Sequence, residues 1–246
     1  MADVLLQTVN LTKNFGNTPE SRVLFGINLE VLKGEFISLI GASGSGKSTF
    51  LNILGALDRP TSGDIYIDGI DLKKLNDDQL AYFRNRTIGF IFQSHFLLPQ
   101  FTILENVLIP YQIYAGKVPP KIYKRALELL DLVGLSHCKD SRANVISGGE
   151  QQRGAIARSL INNPRLILAD EPTGNLDSNN TLKVFALLQN INKELNSTFI
   201  MVTHDQNLAV RAKRMIELKD GLIIKDTPIL GQPLSQRWAD SLPDFS

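Results

Sequence analysis

The chain is short of several things, and each shortage excludes a class of protein. It has one cysteine, Cys138, so no internal disulfide can form, which suits a reducing compartment. Basic and acidic residues nearly balance, 26 against 25, and they are interspersed. There is therefore no basic stripe or arm of the kind a nucleic-acid binder needs. No apolar run reaches the roughly 18–20 residues that a membrane helix requires. The start, Met1 to Leu6, lacks the basic flank and apolar length of a signal peptide, so a chain of cytoplasmic type is expected. No internal repeat or low-complexity tract is visible. The length suffices for one large α/β domain with a real core, or two small ones.

What is present begins with Gly41-Ala42-Ser43-Gly44-Ser45-Gly46-Lys47-Ser48, followed by Thr49. Phe36–Ile40 before it is a short apolar, β-leaning run that stops at a glycine, as a buried strand does. After it Phe50, Leu51, Ile53, Leu54 and Leu57 recur at helical spacing. Strand, glycine loop, helix is the context that separates a nucleoside triphosphate loop from a chance match. The glycines let successive N–H groups turn inward toward phosphate oxygens, aided by the positive end of the helix. Lys47 brings a full charge to the β- and γ-phosphates, and Ser48 offers a hydroxyl to Mg²⁺.

A second buried strand, Leu166–Ala169, delivers Asp170 and Glu171 at its C-terminal end, the edge where open α/β sheets bind ligands. Asp170 is expected to hold Mg²⁺, and Glu171 to polarise the attacking water. Between loop and carboxylates lies Ser147-Gly148-Gly149-Glu150-Gln151-Gln152-Arg153. Ser147 suits an N-cap, and Glu150 three positions on completes a capping box. Two glycines and a serine at a helix start also make an anion site, and from these residues alone both readings stand.

Taken in order, these motifs resemble the ATP-binding cassette (ABC) ATPases almost end to end. The resemblance implies an α/β fold: a P-loop NTPase (RecA-like) core with an antiparallel β subdomain and an inserted α-helical subdomain. That places an ATP-binding domain at 1–225, its helical part at about 94–163, and a C-terminal extension at 226–246, where Pro228, Pro233 and Pro243 interrupt periodicity. It implies that Phe15 stacks on adenine and that Gln93 is the glutamine-loop residue touching metal and nucleotide. Asp177 falls in the aspartate loop, and His204 is the switch histidine working beside Glu171. The resemblance also implies a head-to-tail dimer in which Ser147, Gly148 and Gly149 of one copy close over the ATP of the other. ATP and Mg²⁺ are the expected cofactors.

Two positions depart from the broad family. Glu150 stands where Gln is usual, and Phe15 where Tyr is commoner; neither removes a group the chemistry requires. Within the family the chain is similar to the lipoprotein-releasing ATPases and their macrolide-exporter relatives. Phe92-Gln93, Leu97-Leu98-Pro99, Phe101-Thr102 and Leu104-Glu105-Asn106-Val107 carry that likeness, with the stretch Ala169–Asp177. It implies a peripheral protein on the cytoplasmic face of the inner membrane that reaches the bilayer only through integral partner subunits. Phe96, Leu97 and Phe101 are candidates for that contact. A macrolide or peptide exporter and a cell-division ATPase that gates a cell-wall hydrolase are the alternatives. A DNA-repair ATPase would need a long coiled-coil insertion and a tandem translation factor a second set of motifs, and neither is present. His95, His137 and Trp238 are assigned no role.

Overall fold

The computed structural model describes residues 3–16 and 21–229. At its centre is a six-stranded sheet in the order β10-β9-β3-β8-β7-β6. β3 (Phe36–Ile40), β6 (Ile88–Phe92), β7 (Leu166–Asp170), β8 (Thr198–Val202) and β9 (Arg214–Lys219) run parallel, and β10 (Leu222–Pro228) returns antiparallel beside β9. The three middle strands are apolar almost throughout because both faces of the sheet are covered.

Successive side chains on a strand point to opposite faces, and the sheet divides its residues into two cores accordingly. Phe36, Ile167, Ala169, Phe199 and Met201 share one cluster, and Ile37, Leu39, Leu166, Leu168, Ile200 and Val202 the other. The register agrees: Phe36 pairs with Phe199 and Ile37 with Ile200.

On the first face lie four helices, α3 (Ile103–Ala115), α4 (Pro120–Leu132), α5 (Gly148–Leu160) and α6 (Ser178–Leu195). α4 buries Ala126, Leu129 and Leu130. On α6 Phe185, Leu188 and Ile191 are buried, while Leu182 stands 38% exposed. The second face is covered by α1 (Lys47–Leu54), by α2 (Asp77–Thr87), and by an antiparallel sheet of order β2-β1-β4-β5. That sheet comprises β1 (Val4–Asn14), β2 (Arg22–Leu32), β4 (Ser62–Ile67) and the short β5 (Ile70–Asp71).

Three differences from the sequence reading have local causes. Leu57 does not extend the stripe of α1: the helix stops at Leu54, and Leu57 is exposed beyond its C-cap. The chain turns out of the helix at Ala56, which takes the left-handed conformation, φ 53°. β10 carries folded chain past Asp226 to Pro228; Pro is tolerated on an edge strand. Residues 230–246, with Pro233, Trp238 and Pro243, lie outside the described residues. α2 has a polar surface and buries only Leu80 and Phe83, so its stripe is too sparse to read.

Candidate nucleotide site

The neighbouring strands β3, β8, β7 and β6 end on one edge of the sheet, and each hands over a functional segment there. β3 leads to the glycine loop, β7 to Asp170 and Glu171, β8 to Thr203 and His204, β6 to Gln93. The parallel register holds them level: Phe92 faces Asp170, and Asp170 faces Val202.

The loop's path needs its glycines. Gly46, the N-cap of α1, sits at φ 101°, and with no side chain to cap it leaves the helix's first N–H groups unclaimed from within the helix. Gly41, at φ 153°, passes so close to the β9 backbone that a Cβ would stand 2.1 Å from the Leu218 carbonyl oxygen. Ala42, Ser43, Gly44 and Ser48 are exposed along the crest, Thr49 is half-buried, and Ser45 is buried beneath. Lys47 Nζ donates to the carbonyls of Gly41 and Ala42 at 2.9 and 2.8 Å, so its charge arches over the loop. The arrangement is a cradle of N–H donors with a cation across it, which suits a polyphosphate.

Asp170 sits next to this cradle. Burial raises its carboxyl above the usual aspartate range, and the charge of Glu171 pushes the same way; Lys47 and a hydrogen bond from Ser48 oppose. A hydroxyl and a carboxylate side by side, with negative charge in excess, form a hard oxygen donor set fitting Mg²⁺. Glu171 follows in the left-handed region, φ 45°, its N–H bonded to the Val202 carbonyl at 3.0 Å. This turn swings its carboxylate away from Asp170's partners and toward His204, whose Nδ1 lies 3.1 Å from Glu171 Oε2. His204 is two-thirds exposed, at 69%, and so is not a core histidine.

Gln93 is placed differently. Its amide donates to Asn175 Oδ1 at 3.0 Å, and Asn175 Nδ2 returns a bond to the Gln93 carbonyl. The structure thus joins Gln93 to the loop after β7 through its amide nitrogen, and its amide oxygen is the atom that suits a metal. Phe15 lies at the end of β1's sheet, 64% exposed, with Lys13 Nζ 5.1 Å from its ring centre.

Ser147 caps α5 as its sequence signals. Ser147 N and Oγ donate to Glu150 Oε2 at 2.8 and 2.6 Å, and these bonds hold the Glu150 carboxyl below the ordinary glutamate range. Glu150 therefore serves the backbone rather than facing a phosphate. Ser147 and Gly148 are exposed, and Gly149 is buried. α5 packs in the helical core and α1 in the opposite one, so the sheet lies between this turn and the phosphate loop of the same chain.

Asp177 caps α6, accepting from the N–H groups of Asn179 and Asn180, which holds its carboxyl below the ordinary range. Asn180 Nδ2 also donates to Asp177 Oδ2 at 2.6 Å, and the Asn180 side chain lies 3.3 Å from where a Gly149 Cβ would be.

Sequence reasoning missed Asn175 and Asn180, and also Arg158, which holds the chain after Gln93. Arg158 Nη1 and Nη2 donate to the carbonyls of Phe96 and His95 at 2.6 and 2.7 Å. Side-chain amides and an arginine with distant partners leave no periodic trace. His137 was given no role, yet it contacts Glu150. Leu97 packs against the helical core, whereas Phe96 and Phe101 are 64% and 41% exposed. No helix among the described residues is long and apolar enough to cross a membrane. A cavity of about 340 Å³ lies at the other edge of the sheet. Its cations are already engaged, Lys33 and Arg165 by Asp68 and Arg125 by the Leu160 and Ile161 carbonyls.

The chain is similar to several known proteins. A model of the family described as ABC transporter matches residues 24–174. The lipoprotein-releasing system ATP-binding protein LolD 1 of Rhodopseudomonas palustris (strain ATCC BAA-98 / CGA009) is 48% identical over 224 residues, spanning 91% of this chain and 99% of that protein. Among solved structures, the dimeric post-hydrolysis state of the cassette MJ0796 bound to ADP and Pi superposes with a TM-score of 0.83. It is 44% identical and covers 93% of this chain and 100% of its own. The structure of cbiO1 from Clostridium perfringens, part of the transporter complex cbiONQ, gives a TM-score of 0.84 at 28% identity, covering 92% and 89%.

Proposed function

The chain belongs to the ABC transporter family, and from that premise we propose that it is the ATP-hydrolysing subunit of a membrane complex that releases lipoproteins from the inner membrane for delivery to the outer one. One observation carries the choice of cargo: the likeness to a lipoprotein-releasing ATPase runs along 91% of the chain, not only through the shared motifs.

The site residues divide the chemistry. Gly41 to Thr49 wrap the phosphates, Lys47 neutralises charge on the β- and γ-groups, and Phe15 offers its exposed ring to adenine. Ser48 and Asp170, joined by the amide oxygen of Gln93, would hold Mg²⁺, which when bound offsets phosphate charge. Glu171 takes the proton of the attacking water as general base. His204, 3.1 Å away, orients that carboxylate and senses whether the γ-phosphate is present.

Ser147 and Gly148 face outward on the far side of the sheet from their own phosphate loop, so the anion they suit comes from a second copy. Two chains related by a twofold axis supply both halves of each site. Asp177 holds Asn180, whose side chain lies against Gly149, and works at that same junction. Phe96 and Phe101 provide apolar surface for an integral membrane partner, which holds the protein peripherally at the cytoplasmic face.

The test is capture of membrane partners with tagged Glu171→Gln protein and ATP, from detergent-solubilised native membranes. Recovery of polytopic proteins with large extracytoplasmic domains, together with lipoproteins, is the expected result. Recovery of a division-site membrane protein without lipoproteins would replace lipoprotein release by regulation of a cell-wall hydrolase.

A further inference from the structure

Beside the Ser147 turn, one point gathers three different donor atoms. A 3₁₀ turn, Ser136–Cys138, sets His137 and Cys138 against Glu150 on the first turn of α5. The imidazole nitrogen, the thiol sulfur and a carboxylate oxygen all lie within 4.8 Å of one another. His137 Nε2 is 3.3 Å from Glu150 Oε1. Glu150 is divided in its duties: Oε2 accepts from Ser147 N and Oγ, which leaves Oε1 facing His137. Cys138 is 7% exposed and its S–H points to the Leu135 carbonyl, while His137 is 66% exposed and free to turn.

These separations suit an ion. Zinc bonds of about 2.0–2.3 Å in tetrahedral geometry space the ligands about 3.3–3.8 Å apart. The His137–Glu150 distance already falls there, and the thiol, within 4.8 Å of both, would exchange its contact with the Leu135 carbonyl for the ion. A mixed nitrogen, sulfur and oxygen set selects a borderline transition metal over Mg²⁺ or Ca²⁺.

We propose that His137, Cys138 and Glu150 bind one Zn²⁺ ion, with water in the fourth position, at the base of the Ser147 turn. Binding exchanges the thiol proton for the metal: the S–H bond breaks, the S–Zn bond forms, and one proton per ion goes to solvent. Burial and the charge of Glu150 hold the free thiol above its ordinary range, with Arg153 opposing; the ion overrides both, since a coordinating thiol is deprotonated outright. Because Glu150 keeps Oε2 on Ser147, the ion leaves the cap in place. It ties the Ser136–Cys138 turn to the start of α5 and stiffens the segment that presents Ser147.

Untagged, nucleotide-free protein titrated with Co²⁺, a spectroscopic stand-in for Zn²⁺, tests the site. One Co²⁺ per chain is expected, with a thiolate-to-metal charge-transfer band, release of one proton, and displacement by one equivalent of Zn²⁺. Cys138→Ser removes the band, and His137→Ala weakens binding at least about tenfold, as even outer-shell losses do. Both variants bind ATP as before, since neither residue touches the nucleotide site. A band that survives Cys138→Ser, or no band in excess Co²⁺, overturns the site. His137 is on the surface and its variant folds regardless, so undiminished Co²⁺ affinity in His137→Ala overturns it independently.

Discussion

At the scale of single residues, the site depends on groups held at odds with their own comfort. Asp170 is a carboxylate kept partly from water beside a second one, and its pKa is raised for that reason. The sign follows directly. The folded chain binds that proton more tightly than the unfolded chain, so ionised Asp170 destabilises the fold above its folded pKa, and acidification through that value removes the penalty. Asp170→Asn is accordingly expected to raise the Tm of nucleotide-free protein at neutral pH. The gain should shrink in mild acid, while Mg²⁺-dependent ATP binding is lost at all pH values. A melting series across pH with both proteins checks this; equal Tm values at neutral pH would refute it. Glu171 makes a separate prediction. Glu171→Gln keeps its shape and loses its basicity, so nucleotide binding survives and steady-state hydrolysis falls by roughly 10²–10⁴-fold. A wild-type turnover rate would remove Glu171 from the role of base.

At the scale of elements, α5 has two ends with two tasks. Its first turn presents Ser147, and its last turns reach through Arg158 to the His95 and Phe96 carbonyls. Phe96 occupies the left-handed region, φ 47°, where an aromatic residue stays only if its surroundings hold it. Arg158→Ala removes two charge-assisted bonds and leaves both carbonyls short of a donor. Residues 95–98 should then exchange amide hydrogens faster, and stimulation of the ATPase by the membrane partner proposed above should fall more than the basal rate. Unchanged exchange in that segment would count against Arg158 as the tie.

The elements also show where sequence stops being legible. In α6 the apolar residues Phe185, Leu188 and Ile191 recur at helical spacing and are all buried, so that face is legible. The turn of α5 was legible from its capping box. By contrast β10 is an edge strand exposed along most of its length, so it carries no alternation, and α2 buries two side chains only. The motif residues were each visible where they stand. Their pairings were not: Gln93 with Asn175 and Glu171 with His204 are joined only when strands far apart in sequence end on one edge.

At the scale of the whole molecule, the central sheet is a wall between two cores that share no side chain. The helical core is anchored by Phe36, stacked on Phe199 at 5.2 Å and edge-on to Phe185 at 5.8 Å between ring centres. All three are fully buried. Phe36→Ala should destabilise the chain by about 3–5 kcal/mol in urea unfolding, as large-to-small core changes do. Phe96→Ala, on the surface, should leave stability nearly unchanged and report only on partner binding. A loss under about 1 kcal/mol at Phe36 would mean that the helical core does not depend on this cluster.

The contact between Asn180 and Gly149 has a consequence of another kind. Asn180 is bonded to Asp177 and abuts the turn that presents Ser147. In the paired arrangement proposed above, that turn attends to the nucleotide of the other copy, whereas the loop leading into α6 continues from Glu171, which attends to the chain's own. One amide thus forms the hinge-pin between two allegiances, and each protomer has to weigh both nucleotides together. The dimer should behave as a vote that needs two ballots: hydrolysis should rise with ATP more steeply than a single-site curve. Asn180→Ala should flatten that curve toward simple saturation while leaving each site able to bind.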